Sequence, residues 1–136
     1  MSQTIAVTVK GFTVTQCIDP KSKTDIPTKF KPKAIAALKG IQVDPPKGKT
    51  LTPYSAMFAV AIKKVDKGVR AEVNFSFSDQ DPYSKKDRLQ GQGTGGATVP
   101  TANPADKGDT EAAVEAALDK ALETMIKGIK DAAKKP

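Results

Sequence analysis

The sequence predicts an α+β fold, a small antiparallel or mixed β-sheet of three to four strands packed on one face by helices. Three observations carry that expectation. Apolar residues alternate through 54–79 on either side of Lys67-Gly68, the pattern of a central hairpin. They recur with helical period through 110–134, the pattern of a long amphipathic C-terminal helix. Only 38% of residues are hydrophobic and 5% aromatic, against ten Gly and ten Pro, so the core is thin and aliphatic and much of the chain is loop. The 136 residues are expected to form a single domain, 1–136, with long loops at 18–32, 40–52 and 79–108.

The elements follow in order. Residues 4–16 alternate as a strand, with Ile5, Val7 and Val9 on one face and Phe12 and Val14 on the opposite parity. Gly11 sits where the phase changes, which predicts a bulge or bend there. Residues 18–32 hold Pro20, Pro27 and Pro32 among Lys, Asp, Thr and Ser, and read as an extended loop. Pro32 then opens a short helix at about 33–39, with Ile35 and Leu38 on its buried face and Gly40 as its C-cap. Asp44-Pro-Pro-Lys-Gly-Lys breaks regular structure.

In the hairpin, placing Phe58, Val60 and Ile62 on the same face as Val73, Phe75 and Phe77 requires paired residue numbers with an odd sum. The expected register pairs Ile62 with Val73, Val60 with Phe75 and Phe58 with Phe77, and sets Lys63 opposite Glu72. That register implies a two-residue Lys67-Gly68 loop, or a four-residue loop that adds Asp66 and Val69. Residues 79–108 are polar and Gly-rich, a loop with an edge strand at 88–99. The C-terminal helix is capped by Asp109 or Thr110, with Glu111 and Glu115 at its positive end and Lys127, Lys130 and Lys134 at its negative end. Val114, Leu118, Ala121, Leu122, Met125, Ile126 and Ile129 form its apolar stripe, and Gly128 within the helix marks close packing. This order resembles the layout of small accessory domains of bacterial envelopes, a short sheet closed by an Ala-rich terminal helix, and no motif ties it to a named family.

What the chain lacks narrows its chemistry. It has no His, no Trp and a single Cys, which removes the imidazole base, most nitrogen-and-sulfur metal sites and any intramolecular disulfide. Cys17 reads as a small buried residue rather than a nucleophile. Gly91-Gln-Gly93-Thr-Gly-Gly96 matches G-x-G-x-x-G, but the next helix begins well downstream beyond Pro100 and Pro104, so it reads as a glycine run and not a phosphate loop. Its Gly93-Thr-Gly-Gly96 portion lacks the flanking helices of a nucleic-acid clamp. Phe75 and Phe77 face the core by parity. Asp79, Asp81 and Asp87 start like a calcium loop but depart from it at later positions, leaving at most a weak oxygen-ligand cluster. Asn74-Phe-Ser is a glycosylation sequon lying in a strand. No catalytic residue, cofactor site or metal site is assigned, and the chain is read as not an enzyme.

Charge supplies the one positive lead. The net charge is +7, and residues 18–49 hold eight Lys against Asp19, Asp25 and Asp44. Lys21, Lys23, Lys29, Lys31, Lys33, Lys47 and Lys49 are therefore the candidate contacts to an anionic partner. Only Arg70 and Arg88 are Arg, which weakens base-specific recognition. The first functional reading is a non-catalytic protein-interaction or accessory module, contacting another protein through the open edge of the hairpin sheet or through 18–49. The alternative is a basic binder of nucleic acid or another polyanion through that Lys-rich segment. Met57, Ala59 and Ala61 lie opposite the Phe58 face without being polar, which calls for a second layer or a homo-oligomer to cover them. No apolar run reaches transmembrane length. Met1-Ser-Gln runs straight into a strand pattern, which reads as cytoplasmic; a chain whose signal peptide had been removed, periplasmic or secreted, reads the same.

Overall fold

The structure is a computed structural model and describes residues 2–135. It is α+β, with a four-stranded mixed sheet covered on one face by two helices. In chain order the elements are β1 (Gln3–Ile5), β2 (Val7–Gln16), α1 (Ser22–Ala37), β3 (Ile41–Val43), β4 (Tyr54–Val65), β5 (Gly68–Gln80), β6 (Asp87–Pro100) and α2 (Lys107–Ala133). The main sheet runs β2-β4-β5-β6, and β1 pairs with β3 in a separate two-stranded ribbon. β2 and β4 are parallel, joined by the α1 crossover, while β4-β5 and β5-β6 are antiparallel. β2 bends as expected: its register against β4 shifts between Val9 and Gly11, and again between Val14 and Gln16.

The largest departure from the sequence reading is α1. The stretch 18–32, expected as an extended loop, is mostly helix, and the expected helix at 33–39 supplies only its last turn, ending at Ala37 with Leu38 as C-cap. Pro27 and Pro32 remove two helical donors, at about 3 kcal/mol each. Ile26, Phe30, Ala34 and Leu38, spaced by four, are all buried against the core. Three large side chains at roughly 1.5–3 kcal/mol apiece offset the two prolines. The Thr28 hydroxyl also donates to the Thr24 carbonyl at 2.7 Å, within the turn that Pro27 disturbs. Ile35, expected on the buried face, is 47% exposed because the buried stripe follows i+4 from Ile26 rather than i+3 from Pro32. Gly40 has φ of 76°, as its place after the helix requires.

The hairpin keeps the expected faces but not the expected register. Val60 pairs with Val73, Phe58 with Phe75 and Ala56 with Phe77. A slip of two residues preserves parity, so the same side chains reach the core. The loop is Asp66-Lys67, with Lys67 at φ of 59°. Gly68 is instead the first residue of β5, and its missing Cβ admits the β6 backbone: a Cβ there would stand 2.6 Å from the Val99 carbonyl oxygen. Arg70 sits directly opposite Lys63, yet Lys63 still reaches Glu72 diagonally at 2.9 Å.

The expected edge strand is a full member of the sheet, so 79–108 is not one loop. β6 brings Gly91 against the Phe77 ring, Gly93 against the Phe75 ring and Gly95 against the backbone of α2. A Cβ on Gly95 would lie 2.6 Å from the Ala121 amide nitrogen. The glycine run is therefore a close strand-to-helix contact and opens no helix N-terminus. α2 begins earlier than expected. Asp106, not Asp109 or Thr110, is its cap, accepting from the Asp109 amide at 2.9 Å. Its stripe from Val114 to Ile129 is buried, with Ile126 only half-buried at the margin. Among the described residues, no helix is long and apolar enough to cross a membrane.

Candidate interaction face and the polar cluster beside it

The covered face of the sheet is the core. The other face carries no helix. Register lays its side chains in rows across the four strands. One row is Gly11, Met57, Ser76 and Gln92; the next is Thr13, Ala59, Asn74 and Thr94. Below them lie Thr8, Ser55, Ser78 and Leu89. None of these twelve positions is charged, in a chain whose residues are 27% charged. Met57 is 55% exposed and Leu89 61% exposed, two of the four large exposed hydrophobics among the described residues. Ion pairs frame this band. Lys10 meets Asp87 at 3.0 Å at one end, and Lys63 meets Glu72 at 2.9 Å at the other, where Arg70 donates to Thr98 at 3.1 Å.

The lysines proposed as anion contacts do not form one patch. α1 spreads most of them along its length, Lys47 and Lys49 lie beyond β3, and three of the set are engaged within the chain. Lys29 pairs with Glu111 of α2. Lys33 meets Asp119 at 2.8 Å and Glu115 at 3.3 Å, and the Asp119 hydrogen bond raises its pKa. Lys49 donates to the carbonyls of Ala132 and Lys135 at 3.0 and 2.5 Å, closing the C-terminus of α2, where the helix dipole favours a cation. Lys21, Lys23 and Lys47 are exposed and Lys31 is half-buried. The sequence shows the lysines; it does not show the acidic stripe Glu111, Glu115 and Asp119 opposite them, which depends on how α1 and α2 align.

A polar cluster lies at the end of the sheet beneath the C-terminus of α2. Asp79, at the inner face of β5, is 8% exposed. Arg88 grips both its oxygens, at 3.1 and 2.8 Å, and the Gln90 amide donates to it at 2.8 Å. The β5-β6 register shifts between Phe77 and Ser78, leaving Gln90 as the extra residue, and this bulge aims its side chain inward. Burial raises the pKa of the Tyr54 phenol, and the Asp79 carboxylate adds to the effect. Tyr54, Asp79, Arg88, Gln90, Lys49 and Lys135 line a recess of ≈ 280 Å³. With both its oxygens held, Asp79 organises the end of the sheet.

Two of the three aspartates read as a weak cation cluster share Arg88, and the third lies apart. Arg88 grips Asp79 and lies 4.0 Å from Asp81, which also accepts from the amides of Tyr83 and Ser84 at 2.8 and 3.1 Å, while Asp87 pairs with Lys10. Among the described residues, no group of three His, Cys, Asp or Glu side chains is placed to hold a metal ion. Of the uncharged face, sequence parity finds Met57 and Ala59. It misses Leu89, whose outward direction is set by the bulge at Gln90. Comparison with protein-family models, with curated proteins and with solved structures finds no match.

Proposed function

We propose that this domain is a non-catalytic protein-interaction module that docks through the bare face of its sheet. One observation carries the reading: an uncharged band of Ser, Thr, Asn and Gln around exposed Met57 and Leu89, framed by ion pairs. Interface cores are depleted of charge and enriched in Met, with polar and charged groups at the rim. The polyanion alternative draws on Lys21, Lys23, Lys31 and Lys47. It loses Lys29, Lys33 and Lys49 to contacts within the chain.

Photo-cross-linking in cells of the source organism tests the choice. A photoreactive side chain at Met57 or Leu89 is expected to trap one defined protein, while the same group at Lys31 or Lys47 traps none. Nucleic acid trapped from the lysine positions, with nothing from 57 or 89, overturns the reading in favour of the alternative.

A further inference from the structure

We infer that β6 pairs antiparallel with β6 of a second copy of this chain, joining two four-stranded sheets into one of eight strands. The Thr101 amide donates to the Lys67 carbonyl at 3.0 Å. With the β5-β6 register, this turns the main-chain groups of the odd residues from 91 to 99 toward β5. Those of Gln92, Thr94, Gly96 and Thr98 therefore point away from the sheet, along its free edge. Pro100, next in that series, has no N–H to leave unpaired. One outward group is answered from inside the chain: Lys120 Nζ donates to the Gly96 carbonyl at 3.0 Å.

Apart from Lys120 at Gly96, this edge lacks the usual protection. Natural edge strands are kept apart by charges, prolines, bulges or short length. Residues 89–99 contain no charged residue and no proline, and the bulge at Gln90 falls outside 92–98. The opposite edge differs. β2 carries Lys10 and is broken by two register shifts. Head-to-tail pairing of β2 with β6 thus has no matching edge, whereas β6 on β6 closes about a two-fold axis. Pairing through 92–98 gives about eight main-chain hydrogen bonds, within the roughly 10 ± 5 of stable interfaces.

The pairing also bears on the docking face. Four strands about 4.8 Å apart and some 20 Å of uncharged length present roughly 400 Å², half of the ~800 Å² per partner of a standard interface. Two copies side by side supply the full area. The inference rests on main-chain groups in the plane of the sheet, and the proposed function on side chains standing out from it, so each can fail alone.

Sedimentation equilibrium of the full chain over a hundredfold concentration range, with hydrogen exchange on the same samples, tests it. The expected mass at the upper end is twice 14.4 kDa. The amides of Gln92, Thr94, Gly96 and Thr98 should gain protection with concentration, while those of Gly91, Gly93 and Gly95 stay protected throughout. Thr94→Pro removes one outward N–H from each copy and leaves the β5 ladder whole. It should raise the dimer dissociation constant about 30-fold, two hydrogen bonds at roughly fivefold each. Lys120→Met, which frees the Gly96 carbonyl, should lower it. A monomer mass throughout, or a dimer whose four outward amides gain no protection, overturns the inference, and the exchange result holds even if Thr94→Pro fails to fold. A monomer that still cross-links through position 57 refutes the dimer and keeps the docking face. A dimer that cross-links nothing there does the reverse.

Discussion

The ring of Phe77 lies against Gly128: a Cβ on that helical glycine would stand 2.8 Å from the ring Cζ. The same end of the ring meets Gly91 of β6, where a Cβ would also stand too close to Cζ. One aromatic side chain thus sets the spacing of α2 from the edge of the sheet, and glycine is the residue that admits it at both contacts.

Gly128→Ala should therefore destabilise the fold, although Ala favours a helix over Gly by up to about 1 kcal/mol. Overpacking against a ring already 4% exposed costs roughly 1–3 kcal/mol. Urea unfolding reads the sign directly. Adding Phe77→Leu should reverse it, because the ring that meets the new methyl is gone.

The Asp79–Arg88 pair is bidentate, and its carboxylate is buried. Asp79→Asn leaves the Arg88 fork and the Gln90 amide without the carboxylate they grip, at a position 8% exposed. Removing one partner of a buried pair costs about 3 kcal/mol or more. Arg88 is exposed, so the loss is smaller than for a fully buried pair and is read as a lowered urea midpoint at neutral pH. A change below about 0.5 kcal/mol would contradict the role given to this cluster.

The raised pKa of Tyr54 has a sign. Burial, then Asp79, favours the neutral phenol in the folded state. Its contribution is complete below the usual phenol value of 10.0 and is lost as pH rises through the higher folded value. Lys33, raised chiefly by the Asp119 hydrogen bond, acts in the same direction at alkaline pH. In a Tyr83→Phe background, ultraviolet titration of the remaining phenol should give a midpoint above 10.0, together with falling stability. A midpoint below that value would contradict the burial assigned to Tyr54.

Lys49→Met should fray the end of α2. It removes the donor that closes the Ala132 and Lys135 carbonyls, a loss of roughly 1 kcal/mol. Far-ultraviolet circular dichroism should lose helical signal, and the thermal midpoint should fall by several degrees. An unchanged melt with weakened polyanion binding would return Lys49 to the surface role that charge clustering alone suggests.

The sequence and the structure agree where one signal dominates and part where two compete. The stripe of α2 and the alternation of β4 and β5 have no rival, and both reach the structure intact. In α1 the stripe Ile26, Phe30, Ala34 and Leu38 competes with Pro27 and Pro32. Local propensity argues for a loop, and burial decides for a helix. Hairpin register is invisible to parity, since a slip of two keeps every side chain on its face. The lysines are visible as a charge run, but Glu111, Glu115 and Asp119 lie more than 70 residues away in sequence, and only the packing of the two helices brings them together. The bulge at Gln90 leaves no mark in composition, so neither Leu89 on the bare face nor Gln90 on Asp79 was legible.

The bare face, not the lysine run, is the surface proposed to meet the partner. Its most direct test is affinity capture from lysate of the source organism, eluted with rising salt, comparing wild type with Met57→Glu and with Lys31→Glu/Lys47→Glu. One stoichiometric protein is expected that survives high salt, is lost with Met57→Glu and is kept by the lysine variant. Nucleic acid released at moderate salt, kept by Met57→Glu and lost by the lysine variant, would contradict it.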